Sequence, residues 1–311
     1  MRHQGNCANN PRGWRSSDGF SLPELMVSVA LMLVVSGAVM NGLAKLSNSH
    51  RTIWNRTEMH SGVRGATELL QQEVGQAGRV TLPAPVTASA AIAIGAQTVA
   101  VNSAAGLYVG EQVLFDTGEQ QETITLTAVN TGTNEVTGYF TLPHASGIPV
   151  TVLGGFWSGV VPSTMTNGST GSVLKLYGDI NGDGSMVYVE YTCNTTAGNL
   201  YRNVMPWNAT SKPAVGNAEV LLSNIVANPG GTACFTYQTA VVGGNTYVTN
   251  VAITLTVRTQ QVDPVTKQFQ LETKALLNVS PRNVYNVWEL ASMGLPNRVQ
   301  PMPPSILLLL P

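Results

Sequence analysis

The chain has 311 residues, a net charge of -1 and a charged fraction of only 11%. That balance excludes the basic excess by which a nucleic-acid binder neutralises phosphates. The length admits one large domain or two small ones beside a membrane segment, and the Thr-, Val-, Gly- and Asn-rich body suits strands and turns outside the cytoplasm better than a helical cytosolic enzyme.

Residues 1–19 are polar, with Arg2, Arg12 and Arg15 against Asp18, and from Phe20 to Met40 the only charged side chain is Glu24. A helix over that run spans about 30 Å, the thickness of a hydrocarbon core. Arginines in front of it predict a cytoplasmic N-terminus and an exported body. A cleaved secretory leader would carry a small-residue cut after the apolar run. No Ala-x-Ala stands there, and the break in composition, Gly19–Phe20, comes before it.

The stretch GFSLPELMVSVAL behind a short basic leader resembles the class III signal of type IV pilins and type II secretion pseudopilins. The resemblance implies that a prepilin peptidase cuts after Gly19 and N-methylates Phe20, and that Glu24 is the assembly residue. It also implies a single-pass bacterial inner-membrane protein that partners other pilins and an inner-membrane assembly platform, with an extracellular pilus or periplasmic pseudopilus as the destination. The physics agrees. A carboxylate inside a bilayer is costly by a few kcal/mol unless it finds a partner, and cleavage creates an ammonium on Phe20 that the Glu24 of a neighbour can meet. The alternative is an ordinary anchor with an incidental glutamate. Pro23 suits the first helical turn, where a missing N–H costs little.

The helix is expected to run on to about residue 78, nearly 85 Å in all. Leu43, Leu46, Ile53, Met59, Val63, Leu69, Leu70, Val74 and Ala77 form a loose helical stripe. Gly62, Gly65, Gly75 and Gly78 weaken its second half, and Gly37 and Gly42 are places for bending.

Residues 81–152 read as an inserted small all-β module. Alternating runs at Thr98–Val101, Gln112–Phe115, Glu122–Val129 and Glu135–Phe140 are separated by Asn/Gly/Thr turns. The run is similar to a β module that recurs in phage-like and surface proteins, a likeness that implies no activity. Bulk on the exposed face and a surface-binding role are both open.

Residues 153–290 read as a pilin-type sheet with strands at Val173–Tyr177, Met186–Thr192, Leu200–Asn203, Ala233–Gln238, Val248–Arg258 and Gln268–Val279. The last two flank the turn signal Asp263–Pro264. Their run into Pro281–Arg282–Asn283 resembles the end of W-type minor pilins and J-type pseudopilins. The fold expected is therefore α+β: a long transmembrane and amphipathic helix (residues 20–80) on an antiparallel, pilin-like sheet carrying the inserted module. The Pro-rich tail, residues 291–311, is expected to be a disordered end or to pack on a neighbour; its Ile306–Leu310 run is too short to span a membrane.

One internal motif carries chemistry. DINGDGSMVYVE satisfies the D-x-[DN]-x-[DN]-G-x5-E calcium-loop pattern, with Asp179, Asn181, Asp183, the Ser185 carbonyl and Glu190 as oxygen donors. The alternative is a hairpin turn at Asn181–Gly184, because the following residues alternate like a strand and Glu190 then points away. No cofactor other than this Ca²⁺ is indicated. Cys7 lies in the leader, which leaves Cys193 and Cys234 as an even pair for a disulfide in an oxidising compartment, or as two buried thiols. His3, His50, His60 and His144 are not spaced for metal binding, and no nucleophile-elbow, zincin or P-loop pattern occurs. The reading is a structural subunit, not an enzyme: a low-copy, minor pilin-like assembly subunit of a type IV pilus at or near the filament tip, with a J-type pseudopilin or a pilus-displayed adhesin that binds through the inserted module as the alternatives.

Overall fold

The computed structural model describes residues 19–215 and 218–311. Helix α1 is a single 55-residue element, Leu22–Gln76. Among the described residues, no residue of its membrane-length apolar window is buried, and Leu22, Met32 and Met40 are each about two-thirds exposed or more. From Trp54 onward the chain forms one compact unit. There Met59, Val63, Ala66, Leu70, Val74 and Ala77 recur at three- and four-residue spacing and are buried, as one face of an amphipathic helix should be. Leu43, Leu46 and Ile53, expected in the same stripe, are exposed.

The helix stops at Gly78, whose φ of 83° lies in the left-handed region that favours glycine. Gly78 N–H turns away to the Tyr177 carbonyl (2.9 Å). The amide of Asn283 donates to the Gln76 and Ala77 carbonyls at 3.0 and 3.4 Å, supplying two of the helix end's missing partners. The Pro-Arg-Asn sequence thus acts as a remote cap.

Seven short strands follow: β1 (Val86–Thr87), β2 (Gly95–Ala100), β3 (Gln112–Phe115), β4 (Glu122–Thr125), β5 (Ala128–Asn130), β6 (Glu135–Phe140) and β7 (Pro149–Val152). They make two antiparallel sheets, ordered β1-β7-β3-β4 and β2-β6-β5. The run Glu122–Val129, expected as one strand, is two. Leu126 N–H bonds the Glu111 carbonyl and Thr127 N–H bonds that of Thr137, so the chain changes sheets there. Val113, Phe115, Ile124, Leu126, Val136, Phe140 and Val150 form a core of their own, with Phe115 and Phe140 edge to face at 4.9 Å.

After β8 (Gly155–Phe156), strands β9 (Val173–Gly178), β10 (Val187–Asn194), β11 (Asn199–Pro206) and β12 (Glu219–Ser223) pair antiparallel in the order β12-β11-β10-β9. A second antiparallel sheet holds β13 (Ile225–Val226), β14 (Phe235–Val242), β15 (Asn245–Arg258) and β16 (Leu271–Val279), all three of the others pairing with β15. Strand alternation sorts β10 into two faces. Val189, Tyr191 and Cys193 join the helix stripe and Val251, Ile253 and Leu255 of β15 in one core. Tyr188 faces the other way, into a cluster with Tyr108, Phe156, Tyr177 and Met205. The expected α+β arrangement, a long helix on antiparallel sheets with added β modules, is the one found.

The tail, expected to be disordered or to pack on a neighbour, packs on its own chain. Helix α2 (Arg282–Ser292) buries Val284 and Val287, β17 (Val299–Gln300) pairs parallel with β8, and the short helix α3 (Pro304–Leu309) lays Ile306, Leu309 and then Leu310 on the outer face of the β9–β12 sheet. Gln300 is fully buried. Its side chain accepts from Gln112 N–H (3.0 Å) and donates to the Gln112 and Leu153 carbonyls (2.7 and 3.0 Å), while Tyr108 OH donates to the Pro301 carbonyl at 3.0 Å. The tail therefore straps the 86–150 strands to the main sheet. Gln300→Ala should strand three partly buried backbone groups and destabilise the protein by roughly 1 to 3 kcal/mol. Hydrogen exchange should quicken first at the Gln112 amide, and unchanged exchange there would contradict the strap.

Candidate functional site

The amino-terminal segment is built from very little. Gly19, Phe20 and Ser21 precede the helix in non-helical backbone, and Leu25 N–H closes the first turn on the Ser21 carbonyl at 3.1 Å. Phe20 is 78% exposed. Pro23 and Glu24 both fall in the first turn, where a missing N–H is harmless and a carboxylate meets the positive end of the helix dipole. Glu24 is exposed; its backbone carbonyl accepts from Ser28 Oγ at 2.8 Å. Residues 1–18, with the three leader arginines, His3, Cys7 and Asp18, lie outside the described residues. Gly19, Phe20 and Glu24 thus stand exposed at one apolar helix end, with no residue of that apolar window buried among the described residues.

The Asp179 loop is a tight turn between β9 and β10. Asp179 is fully buried and Asp183 is exposed. Asp179 Oδ1 accepts from Asp183 N–H (3.1 Å) and Asp183 Oδ1 from Ser185 N–H (2.9 Å). Asn181 and Ser185 are exposed. Glu190 is elsewhere: it sits opposite Lys175 of β9 and Asn203 of β11. Its Oε2 accepts from Tyr188 OH and Lys212 Nζ, both at 2.9 Å, and lies 3.7 Å from Lys175 Nζ. Strand alternation turns it out of the loop, and two lysines balance its charge. Among the described residues no group of three or more His, Cys, Asp or Glu is disposed to hold a metal ion.

Cys193 and Cys234 form a disulfide with Cα atoms 6.5 Å apart. It joins the end of β10 to the start of β14, two strands from different sheets.

Three buried charge clusters were not anticipated. Glu73, 3% exposed, takes a hydrogen bond from Tyr191 OH (2.5 Å) and an ion pair with Arg202. Its position one turn after Leu70 and before Ala77, within the apolar stripe, was the available signal. The Lys175–Glu190–Lys212 cluster lies beneath the tail, whose Leu310 carbonyl accepts from Lys175 Nζ. Burial lowers the Lys175 pKa, partly offset by the Glu190 charge. In the 86–150 strands, buried His144 bridges Asp116 (Nδ1–Oδ2, 3.2 Å) and Glu122 (Nε2–Oε1, 2.8 Å). Asp116 is held below its usual range by Thr117 N–H and then by His144. Burial pushes Glu122 up, but hydrogen bonds from Thr141, His144 and Leu142 outweigh it and leave it low. Glu111 goes the other way: burial, only partly offset by Tyr108 N–H, raises it to about 8.

Residues 14–40 match the family described as the prokaryotic N-terminal methylation motif. Comparison with curated proteins and with solved structures finds no match. The chain therefore carries the signal of type IV pilins and pseudopilins on a long apolar N-terminal helix, a combination consistent with inner-membrane anchoring before assembly and implying a prepilin peptidase and other pilins as partners.

Replacing Cys193 and Cys234 by serine should lower stability by about 4 kcal/mol in the loop-entropy account, measured by denaturant unfolding with and without reductant. The carboxylates give pH dependence of opposite sign. Asp116 and Glu122, with depressed folded values, contribute stability that is present above their unfolded pKa values and lost as pH falls through the folded ones. Glu111 stabilises relative to its ionised form at low pH, and that contribution is lost as pH rises from its usual 4.5 toward about 8. Glu111→Gln should therefore gain on the wild type steadily between those pH values in thermal melts; a difference that does not change with pH would refute the assignment.

Proposed function

We propose that the chain is a low-copy, minor pilin-like subunit of a type IV pilus. It would be made as a prepilin, cut between Gly19 and Phe20, methylated at Phe20 and assembled at or near the filament tip. The observation that carries this is the methylation motif at residues 14–40 together with a helix whose apolar first half has no buried residue among the described residues. In the bilayer, lipid supplies that cover; in a filament, neighbouring helices do. Glu24 then pairs with the methylated ammonium of a neighbour's Phe20, a charge-assisted contact that offsets the cost of a carboxylate in an apolar surround.

In this reading residues 1–19 are the leader, 20–80 the membrane and core helix, 81–152 an inserted module, 153–290 the pilin-type sheet and 291–311 a closing tail. The role is structural rather than catalytic. Repeating so large a decorated globule along a whole fibre would be sterically awkward, which supports few copies. A J-type pseudopilin is the rival within the class, and the neighbouring genes would decide by encoding pilus or secretion components. The separate core of the 86–150 strands favours one second reading, a displayed adhesin. Deleting residues 81–152 tests it: lost attachment with normal piliation would support the adhesin, and lost piliation the assembly role.

Glu24→Gln is expected to leave leader removal and membrane insertion intact while lowering recovery in sheared filaments by roughly tenfold or more, the factor a lost charge-assisted bond implies. Quantitative immunoblots of the filament and envelope fractions read this out. Incorporation of the variant at wild-type level would rule out the pairing.

A further inference from the structure

The one sequence motif that the proposed function does not absorb is the Asp179 loop. Its pattern calls for a divalent cation, and its buried acid does need a positive charge. Asp179 is fully buried. One carboxylate oxygen, Oδ1, is used by Asp183 N–H; the other, Oδ2, accepts no hydrogen bond. A buried carboxylate so placed is strongly unfavourable without a countercharge.

That countercharge comes from the first residue past the helix exit. Arg79 Nε lies 3.5 Å from Asp179 Oδ2. Its Nη1 lies over the loop, 3.6 Å from where a Cβ on Gly182 would stand. The backbone fixes this placement. Asp179 N–H donates to the Arg79 carbonyl at 2.9 Å, and Arg79 bridges Gly155 on its other side. Gly178 permits the approach: a Cβ there would fall 2.8 Å from the Arg79 carbonyl oxygen, and its φ of 131° suits glycine. The last acid of the motif, Glu190, is already engaged by Lys212, Lys175 and Tyr188, and so is lost to the loop as a donor.

We infer that the guanidinium of Arg79 is the resident cation of the Asp179–Ser185 loop, so that a calcium-type sequence works as a metal-independent latch. The latch joins the exit of the long helix to the β9–β10 hairpin. It explains why the motif is complete in sequence yet its acids do not converge. The Asp-x-Asn-x-Asp-Gly part shapes the turn and orients Asp179, while the charge that a metal would supply arrives from residue 79.

The test uses the full chain in detergent micelles, followed by thermal melts in millimolar CaCl2 and in EDTA. The wild-type midpoint is expected to be the same in both. Arg79→Gln and Asp179→Asn should each lower it, by roughly 5 °C. The double variant should melt no lower than the weaker single, because each substitution already breaks the same pair. A wild-type midpoint raised by calcium would overturn the inference, as would singles that melt like the wild type or effects that simply add. The calcium comparison needs no variant, so it decides even if a substituted chain fails to fold.

Discussion

The apolar, uncovered surface of α1 between Leu22 and Met40 is the constraint on which the rest of the molecule depends. No residue of that window is buried among the described residues, and so much exposed hydrocarbon is unfavourable in water. It requires a bilayer or a bundle of like helices. Glu24 makes the requirement sharper, because a carboxylate in the first turn of such a helix is tolerated in lipid only at a cost that a partner can offset. The proposed cleavage within the methylation motif over residues 14–40 would create one by freeing an amino group at Phe20.

Everything after Trp54 holds the second half of that helix and ends it cleanly. The stripe from Met59 to Ala77 packs onto two antiparallel sheets that the Cys193–Cys234 bond ties together. Gly78 turns the chain, Asn283 caps the last carbonyls, and Arg79 meets Asp179. Helix exit, hairpin and α2 therefore converge within a few residues. The outer face of the same sheet is closed by the tail, which also takes hold of the 86–150 strands through Gln300. One sheet thus has a helix on one side and the C-terminus on the other.

Periodicity made much of this legible before any coordinates. The apolar run with its single acid marked the helix, and alternation marked strands β9 to β11 and β14 to β16 within a few residues at each end. Local patterns failed where a partner distant in the chain decides the outcome. Leu126 and Thr127 look like the middle of one strand, yet their amides go to the Glu111 carbonyl just before β3 and to the Thr137 carbonyl of β6 in the other sheet. The Ile306–Leu310 run has no periodicity that reveals its groove, because the groove is made by Tyr108, Phe156, Tyr177 and Tyr188. Glu190 fits a calcium spacing in one dimension, but the two-residue period of its strand carries it to Lys212. Glu73 was legible in principle, an acid standing in a buried stripe; its partner Arg202, more than a hundred residues later, was not.

The central claim is that Phe20 becomes the first residue of a filament subunit, and the mass of the N-terminal peptide from envelope-purified protein tests it most directly. A peptide that begins at Phe20 and carries one added methyl group is the result this account predicts. An intact leader, or a cut beyond Met40, would contradict it and return Glu24 to an ordinary anchor or signal segment.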